Sequence, residues 1–167
     1  MSKAVLISIR TKECDKICSG EKTVEVRKTR PNLKTPFKCY IYCTQSGDVR
    51  RLVGERDKVI GEFVCDRIDR LARVGFDGSG ESAKYCICNS DMFVWSMDGV
   101  RENACLTQEE LEKYLGGYDG YGWHISDLVI YDTPRNLGEF AVLRTSNNGF
   151  ELRVLDRAPQ SWCYVGG

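Results

Sequence analysis

Apolar residues fall along this chain in short runs of two kinds. Ala4 to Ile9 is a continuous run rich in β-branched residues, which predicts a buried strand. From Thr11 to Cys18 the apolar positions thin out and Cys14 and Ile17 share one helical face. A short helix is expected there, capped by Thr11 and stopped by Ser19-Gly20. Lys22 to Lys28 alternates, sending Thr23, Glu25 and Arg27 to one side of a strand and Lys22, Val24, Val26 and Lys28 to the other. Arg30-Pro31-Asn32 breaks it, because proline removes a donor and restricts its predecessor. Phe37–Thr44 and Lys58–Cys65 read as two more strands, joined by a polar loop that includes Ser46-Gly47-Asp48.

From about Asp66 to Ala104 the pattern loses its period, with glycines at 75, 78, 80 and 99. Thr107-Gln108-Glu109-Glu110 is a capping box, so a helix over Gln108–Leu115 follows and Gly116-Gly117 ends it. Tyr118 to Gly122 reads as a loop and Trp123 to Tyr131 as a strand in its second half. Thr133 to Asn136 reads as a turn, Leu137 to Phe140 as a connector and Arg157 to Val165 as an extended segment. Short strands interrupted by two brief helices predict an α+β fold, a small mixed β-barrel with short helices around it. No linker or repeat divides the chain, so residues 1–167 are expected to form one domain with an irregular elaboration at about 67–105.

Composition narrows the function. The 167 residues carry 24 Lys+Arg and 24 Asp+Glu, a formal charge of zero, which excludes holding nucleic acid by bulk electrostatics. Apolar runs stop far short of the roughly 20 residues a membrane span needs, and the chain passes from Met1-Ser2-Lys3 straight into a strand. A soluble, untargeted cytoplasmic protein without membrane partners is expected. The cysteines number nine, an odd count, and none of the spacings Cys14/Cys18, Cys39/Cys43 or Cys86/Cys88 is the CxxC pair that zinc sites repeat. With one histidine, no metal site and no cofactor are expected, and the thiols read as small buried hydrophobes. The zero total conceals an asymmetry. Residues 1–38 hold ten basic and four acidic residues, whereas residues 101–132 hold two basic and seven acidic ones.

Leu6-Ile7-Ser8-Ile9-Arg10, a short helix and then Ser19 to Lys28 (SGEKTVEVRK) resemble the opening of ASCH domains of the PUA-like superfamily. Their G-x-K-x-x-E-x-R signature is met by Gly20, Lys22, Glu25 and Arg27. Val59-Ile60-Gly61-Glu62-Phe63 is similar to that family's next recognisable strand. Trp123 to Asp127 and Pro159 to Val165 resemble further segments of ASCH-type proteins of bacteria and phage. The resemblance implies a PUA-like barrel with a cleft lined by the motif, and RNA or a modified nucleoside or nucleotide as ligand. It also implies, for some members, hydrolysis of acetylated cytidine or of RNA. In the amidohydrolase type a threonine stands where this chain has Glu25; Thr23 lies two residues earlier on the same strand face, outside the position the family uses.

The residue chemistry fits such a ligand. Lys22 offers a flexible cation and Arg27 a planar fork for a phosphate or a base. Glu25 can accept from an exocyclic amine, serve as a general base, or simply pair with Arg27. Arg10 and Lys12 can extend the cation cluster or be solvated loop charges. His124 can act in acid–base chemistry with Asp127 or Glu25, or be a structural hydrogen-bonding group. Trp123 and Trp162 can form a stacking platform or a core lid, and Gln160 and Ser161 can read a base edge or serve the turn after Pro159. No GxxxxGK[ST], no GxGxxG after a strand and no nucleophile elbow occur, and Gly75 to Gly80 lacks the lysine of a phosphate loop. Three readings follow: a binder of RNA or nucleotide-derived ligands; a hydrolase using Lys22 and Glu25 as its catalytic pair; or a phage or bacterial accessory module that contacts another protein.

Overall fold

The computed structural model describes residues 2–44, 57–74 and 84–167. The Ser46-Gly47-Asp48 loop and the Gly75 to Gly80 string therefore lie outside the described residues. The architecture is α+β, with ten strands and three short helices among those residues. Strand β1 (Lys3–Arg10) lies parallel to β3 (Phe37–Thr44) and antiparallel to β10 (Trp162–Gly166). The crossover between β1 and β3 carries α1 (Thr11–Cys18) and β2 (Val24–Arg27). Val5, Ile7 and Ile9 of β1 enter one apolar cluster while Ala4 and Leu6 enter another, so both faces are covered. A strand covered on both sides reads as an unbroken apolar run, which is why Ala4 to Ile9 does not alternate.

Strand β4 (Lys58–Val74) organises the sheet. Strand β7 (Gly120–Asn136) follows one edge of it from Lys58 to Leu71, while β3 takes Lys58–Cys65 and β5 (Lys84–Cys88) takes Leu71–Val74 on the other. A two-residue strand β6 (Phe93–Val94) adds to β5, and β2 pairs with β7 over Tyr121–His124. Where described, residues 67–105 extend the sheet through β4, β5 and β6 and end in helix α2 (Asp98–Ala104). The period is lost to sequence inspection because Asp69, a charged residue, is fully buried between Ile68 and Leu71.

Three expectations change. Arg10, not Thr11, is the N-cap of α1; Thr11 is its first residue, and its hydroxyl donates to the Thr44 carbonyl at 2.8 Å. Thr133 to Asn136 is not a turn but part of β7. Gly61 pairs with Ile130 and Val59 with Arg135, so a bulge of several residues accommodates Pro134, which has no amide hydrogen to donate. Strands β8 (Ala141–Ser146) and β9 (Gly149–Val154), which no sequence pattern marked, form a separate two-stranded sheet. Helix α3 (Gln108–Leu115) is as expected: the Thr107 hydroxyl accepts from the Glu110 amide at 3.1 Å, Glu110 accepts from the Thr107 amide at 2.9 Å, and Gly116 closes the helix at φ 61°.

Around the first apolar cluster the pairings run β2–β7–β4–β3–β1–β10, and among the described residues no backbone ladder joins β2 back to β10. Side chains cross that gap instead. Trp162 Nε1 donates to Thr29 Oγ1 at 3.0 Å, and the Asn32 amide donates to Tyr164 Oη at 2.8 Å. No helix among the described residues is long and apolar enough to cross a membrane.

Candidate functional site

Strand β2 is short because it must serve two environments. Val24 and Val26 enter a cluster with Leu71, Val100 and Leu115, which leaves Glu25 and Arg27 on the opposite face. The segment before it is pinned from three sides: the Lys22 amide donates to the Lys16 carbonyl, the Thr23 amide to the Asn103 carbonyl, and the Thr23 carbonyl accepts from the Ile125 amide. Lys22 lies just outside the strand, so its stem is freed from strand alternation and its ammonium reaches the Glu25 side.

The three motif side chains form one chain of charges. Lys22 Nζ donates to the Ala104 carbonyl at 2.8 Å and lies 3.2 Å from both Glu13 Oε2 and Glu25 Oε2. Glu25 Oε1 is 2.9 Å from Arg27 Nη2, which also donates to the Ser8 carbonyl at 2.6 Å; Arg27 Nη1 donates to Ser161 Oγ at 3.3 Å. Lys16 closes the far end on Glu13 Oε1 at 3.3 Å. Lys22, Glu25 and Arg27 are only 3, 7 and 9% exposed. Some capacity remains unused: Glu13 Oε2, Glu25 Oε2 and Arg27 Nε are inaccessible and have no aligned hydrogen bond, although the two carboxylate oxygens face the ammonium at 3.2 Å. Arg27 bridges β2 to Ser8 of β1 and to Ser161 before β10, so the cluster sits at the gap in the strand circuit. Tyr114 of α3 borders it: burial pushes the phenol up, while the nearby charge of Arg27 draws it down, and Lys28 Nζ stands 5.4 Å over its ring.

A second charged cluster lies on the other side of β7. Asp69 is fully buried. Its Oδ2 accepts from His124 Nε2 at 2.6 Å and from Arg67 Nη2 at 3.2 Å, and its Oδ1 accepts from Asn89 Nδ2 at 2.8 Å. Burial pushes the Asp69 carboxyl up, but the bonds from His124 and Asn89 outweigh it and hold the group below its usual range. His124 is thus bonded to Asp69; neither Asp127, exposed at φ 47°, nor Glu25 is its partner.

The remaining expected residues separate. Arg10 and Lys12 are exposed at the start of α1, and Lys12 lies close enough to Glu110 of α3 to act on its charge. Trp123 is fully buried, its ring centroid 6.0 Å from those of Phe37 and Trp162, so it is a core residue with no face for a ligand. Gln160 is exposed on a different cleft, of about 550 Å³, with Arg144, Arg153 and Arg157, while Ser161 joins the Arg27 cluster. Sequence reasoning missed Glu13, Ser8, Tyr114 and Asp69. Ser8 was the one with a local signal, a hydroxyl inside an apolar strand; the others meet their partners only through tertiary packing.

No group of three or more His, Cys, Asp or Glu side chains able to hold a metal occurs among the described residues. None of the nine cysteines is in a disulfide, and five of them are buried. The bond to Cys43 and burial push the Cys14 thiol far up, and burial pushes Cys65 up to about 12 and Cys163 to about 11, so these sulfurs stay neutral and unreactive.

No family model matches this sequence, and no curated protein matches it. Solved structures do. An ASCH protein from Zymomonas mobilis matches with a TM-score of 0.58 at 18% identity, over 96% of this chain and 86% of that one. A tyrosine-to-phenylalanine variant of it matches with a TM-score of 0.58 at 20% identity, over 98 and 90% of the two chains. A serine-to-alanine variant matches with a TM-score of 0.55 at 18% identity, over 96 and 87%. At such identities the likeness is one of fold, and it spans nearly the whole chain: this protein has the ASCH-domain fold.

Proposed function

We propose that the protein binds RNA or a nucleotide-derived ligand at the Lys22–Glu25–Arg27 cluster. In this reading the strand circuit is a PUA-like barrel whose seam, from β2 to β10, is closed by side chains rather than by a ladder, and the ligand enters at that seam. The observation that carries it is the burial of linked charges where packing alone would favour apolar residues. A buried ion network of this kind repays its desolvation poorly as a source of stability, and well-packed hydrophobic residues of the same volume do as well or better. Such a network is useful if it presents a guanidinium already fixed in place. Arg27 is held by Glu25 and the Ser8 carbonyl through Nη2, while among the described residues its Nη1 is satisfied only by the Ser161 hydroxyl, a partner that can yield to a phosphate or a base edge.

Hydrolysis by Lys22 and Glu25 is the second reading, favoured by their 3.2 Å approach. One experiment separates the two. Labelled single-stranded RNA and free nucleoside monophosphates are titrated with the wild type, Arg27→Lys and Glu25→Gln, and the recovered RNA is run on a gel. A binder loses about tenfold in affinity on Arg27→Lys, about 1.4 kcal/mol, keeps most of it on Glu25→Gln, and leaves the RNA intact. A hydrolase cleaves the RNA and loses about 10²-fold or more in turnover on Glu25→Gln. Absence of saturable binding to every probe overturns the proposal.

A further inference from the structure

The second half of β4 and the β5–β6 turn make a cleft that the Lys22–Glu25–Arg27 cluster does not use. The turn is closed by paired backbone bonds between Asn89 and Met92 and is tied down by the Asn89 side chain, whose Oδ1 accepts from the Arg70 amide at 2.8 Å while Nδ2 donates to Asp69. Between this turn and the chain at Arg30 to Thr35 opens a cleft of about 910 Å³. Three arginines line it, Arg30, Arg67 and Arg70, against one carboxylate, Asp91.

Each guanidinium is held through its Nη2, yet each of the three residues stays exposed to solvent. Arg67 rests on the fully buried Asp69, yet its side chain is 58% exposed. Arg70 forks onto Asp119 Oδ2 at 2.7 and 3.2 Å and is 54% exposed. Arg30 donates only to backbone carbonyls, those of Pro31 and Leu33, so among the described residues its charge meets no carboxylate. Ordinary surface arginines lose rotamer entropy when they take up an anion; these are held in advance. Tyr121 adds a ring to the cleft wall. It pairs with Arg27 of β2 on one side and Arg70 of β4 on the other, and directly paired antiparallel residues share a face, so cation, ring and cation stand in a row across three strands.

The same turn carries the exposed aromatics of this region. Met92 lines the cleft, and three residues on, about 10 Å of extended chain, Trp95 stands 70% exposed with Phe93, 51% exposed, packed edge-on at 4.8 Å. A cationic cleft with unburied aromatic rings a few residues beyond it suits a flexible polyanion with stacking bases; a duplex cannot use the rings.

We infer that this cleft is a second contact for single-stranded RNA, with one backbone phosphate held by Arg30, a second by Arg67, and a base stacked on the Trp95–Phe93 pair. The inference rests on the RNA-binding reading above and extends the strand's path to residues 67–95. Asp69 and Asn89 are positioning residues that hold Arg67 and the turn.

The test uses the full chain and a labelled single-stranded RNA of mixed sequence, titrated over a range of salt with the wild type, the Arg30→Ala/Arg67→Ala double variant and Trp95→Ala. All three altered side chains are largely in solvent, so folding is expected to survive and is checked by circular dichroism. The double variant should weaken binding about tenfold or more and flatten the dependence of log affinity on log salt by about 1.4, two phosphates' share. Trp95→Ala should weaken binding by about five- to 100-fold, one base's stacking. If the wild type binds RNA and either variant binds equally well, the cleft is not on the strand's path, while the reading at Arg27 stands. If polyglutamate displaces the RNA as effectively as unlabelled RNA does, the surface is a general polyanion or protein-binding face and the inference falls. If the wild type binds no RNA, both readings fall together.

Discussion

Lys22 shows how much of this site depends on a single ammonium. It is 3% exposed and faces two carboxylates and a carbonyl, and among the described residues the only other cations on those carboxylates are Lys16 and Arg27. Replacing it by methionine keeps the stem and deletes the charge. The expected loss is about 3 kcal/mol, the low end for breaking a buried ion cluster because Lys16 and Arg27 still compensate in part. A fall in the urea midpoint without a change in slope reports it, and an unchanged midpoint would show that the ammonium is hydrated rather than buried. Asp69 makes the corresponding prediction for pH. Its carboxyl titrates below the usual 3.8 in the folded protein, so its contribution is complete above that value and is lost as the pH falls through the lower, folded one. Asp69→Asn should be less stable at neutral pH and should lose less further stability than the wild type between about pH 5 and pH 2. An identical acid limb in both proteins would show that Asp69 carries no such linkage. The Lys22, Glu25 and Arg27 grouping was readable from the resemblance to the ASCH signature, whereas alternation alone puts Lys22 on the face opposite the other two, and it reaches them because it lies just outside the strand. Asp69 was not: its partners His124 and Asn89 are brought from within β7 and from the end of β5, and nothing near Asp69 in the chain announces burial.

Strands and helices were readable where one local rule governs them. Phe37–Thr44 and Gln108–Leu115 match expectation to the residue, the first as a strand bounded by turn residues and the second by its capping box. The long strands were foreshortened because they change surroundings along their length. Strand β7 faces β2 at one end and the bulge around Pro134 at the other, so its pattern has no single period. In the β8–β9 hairpin Val142 packs against the cluster that holds Ala4 and Leu6, while exposed Leu152 and Val154 sit among charged residues, so no one local pattern marks the pair. Gly61 is a position at which this geometry can be probed. A Cβ there would stand 2.4 Å from the Val129 carbonyl oxygen, so β4 and β7 approach at Gly61 as only glycine permits. Gly61→Ala should cost about 1–3 kcal/mol by overpacking, read from thermal or urea unfolding; an unaffected variant would mean the two strands separate easily at the bulge.

Taken as one body, the protein replaces a balanced charge total with a directional one. The cationic first 38 residues supply Lys22, Arg27 and Arg30, and β4 adds Arg67 and Arg70 beside them, while the acidic stretch from 101 to 132 contributes α3 and Asp119. The regional split was visible in the sequence, but not the placing of Arg27 and Arg70 on either side of Tyr121 on one sheet face, which depends on the register of β2, β7 and β4. A protein of zero net charge that binds RNA through such a face must do so by a few placed contacts. The equilibrium affinity for a labelled single-stranded RNA, followed between about 50 and 200 mM salt, reads this directly. Saturable binding is predicted, with log affinity falling linearly in log salt at a slope of about −2, as three phosphate contacts on a single strand require. Binding that does not respond to salt, or no saturable binding at the lowest salt, would contradict it.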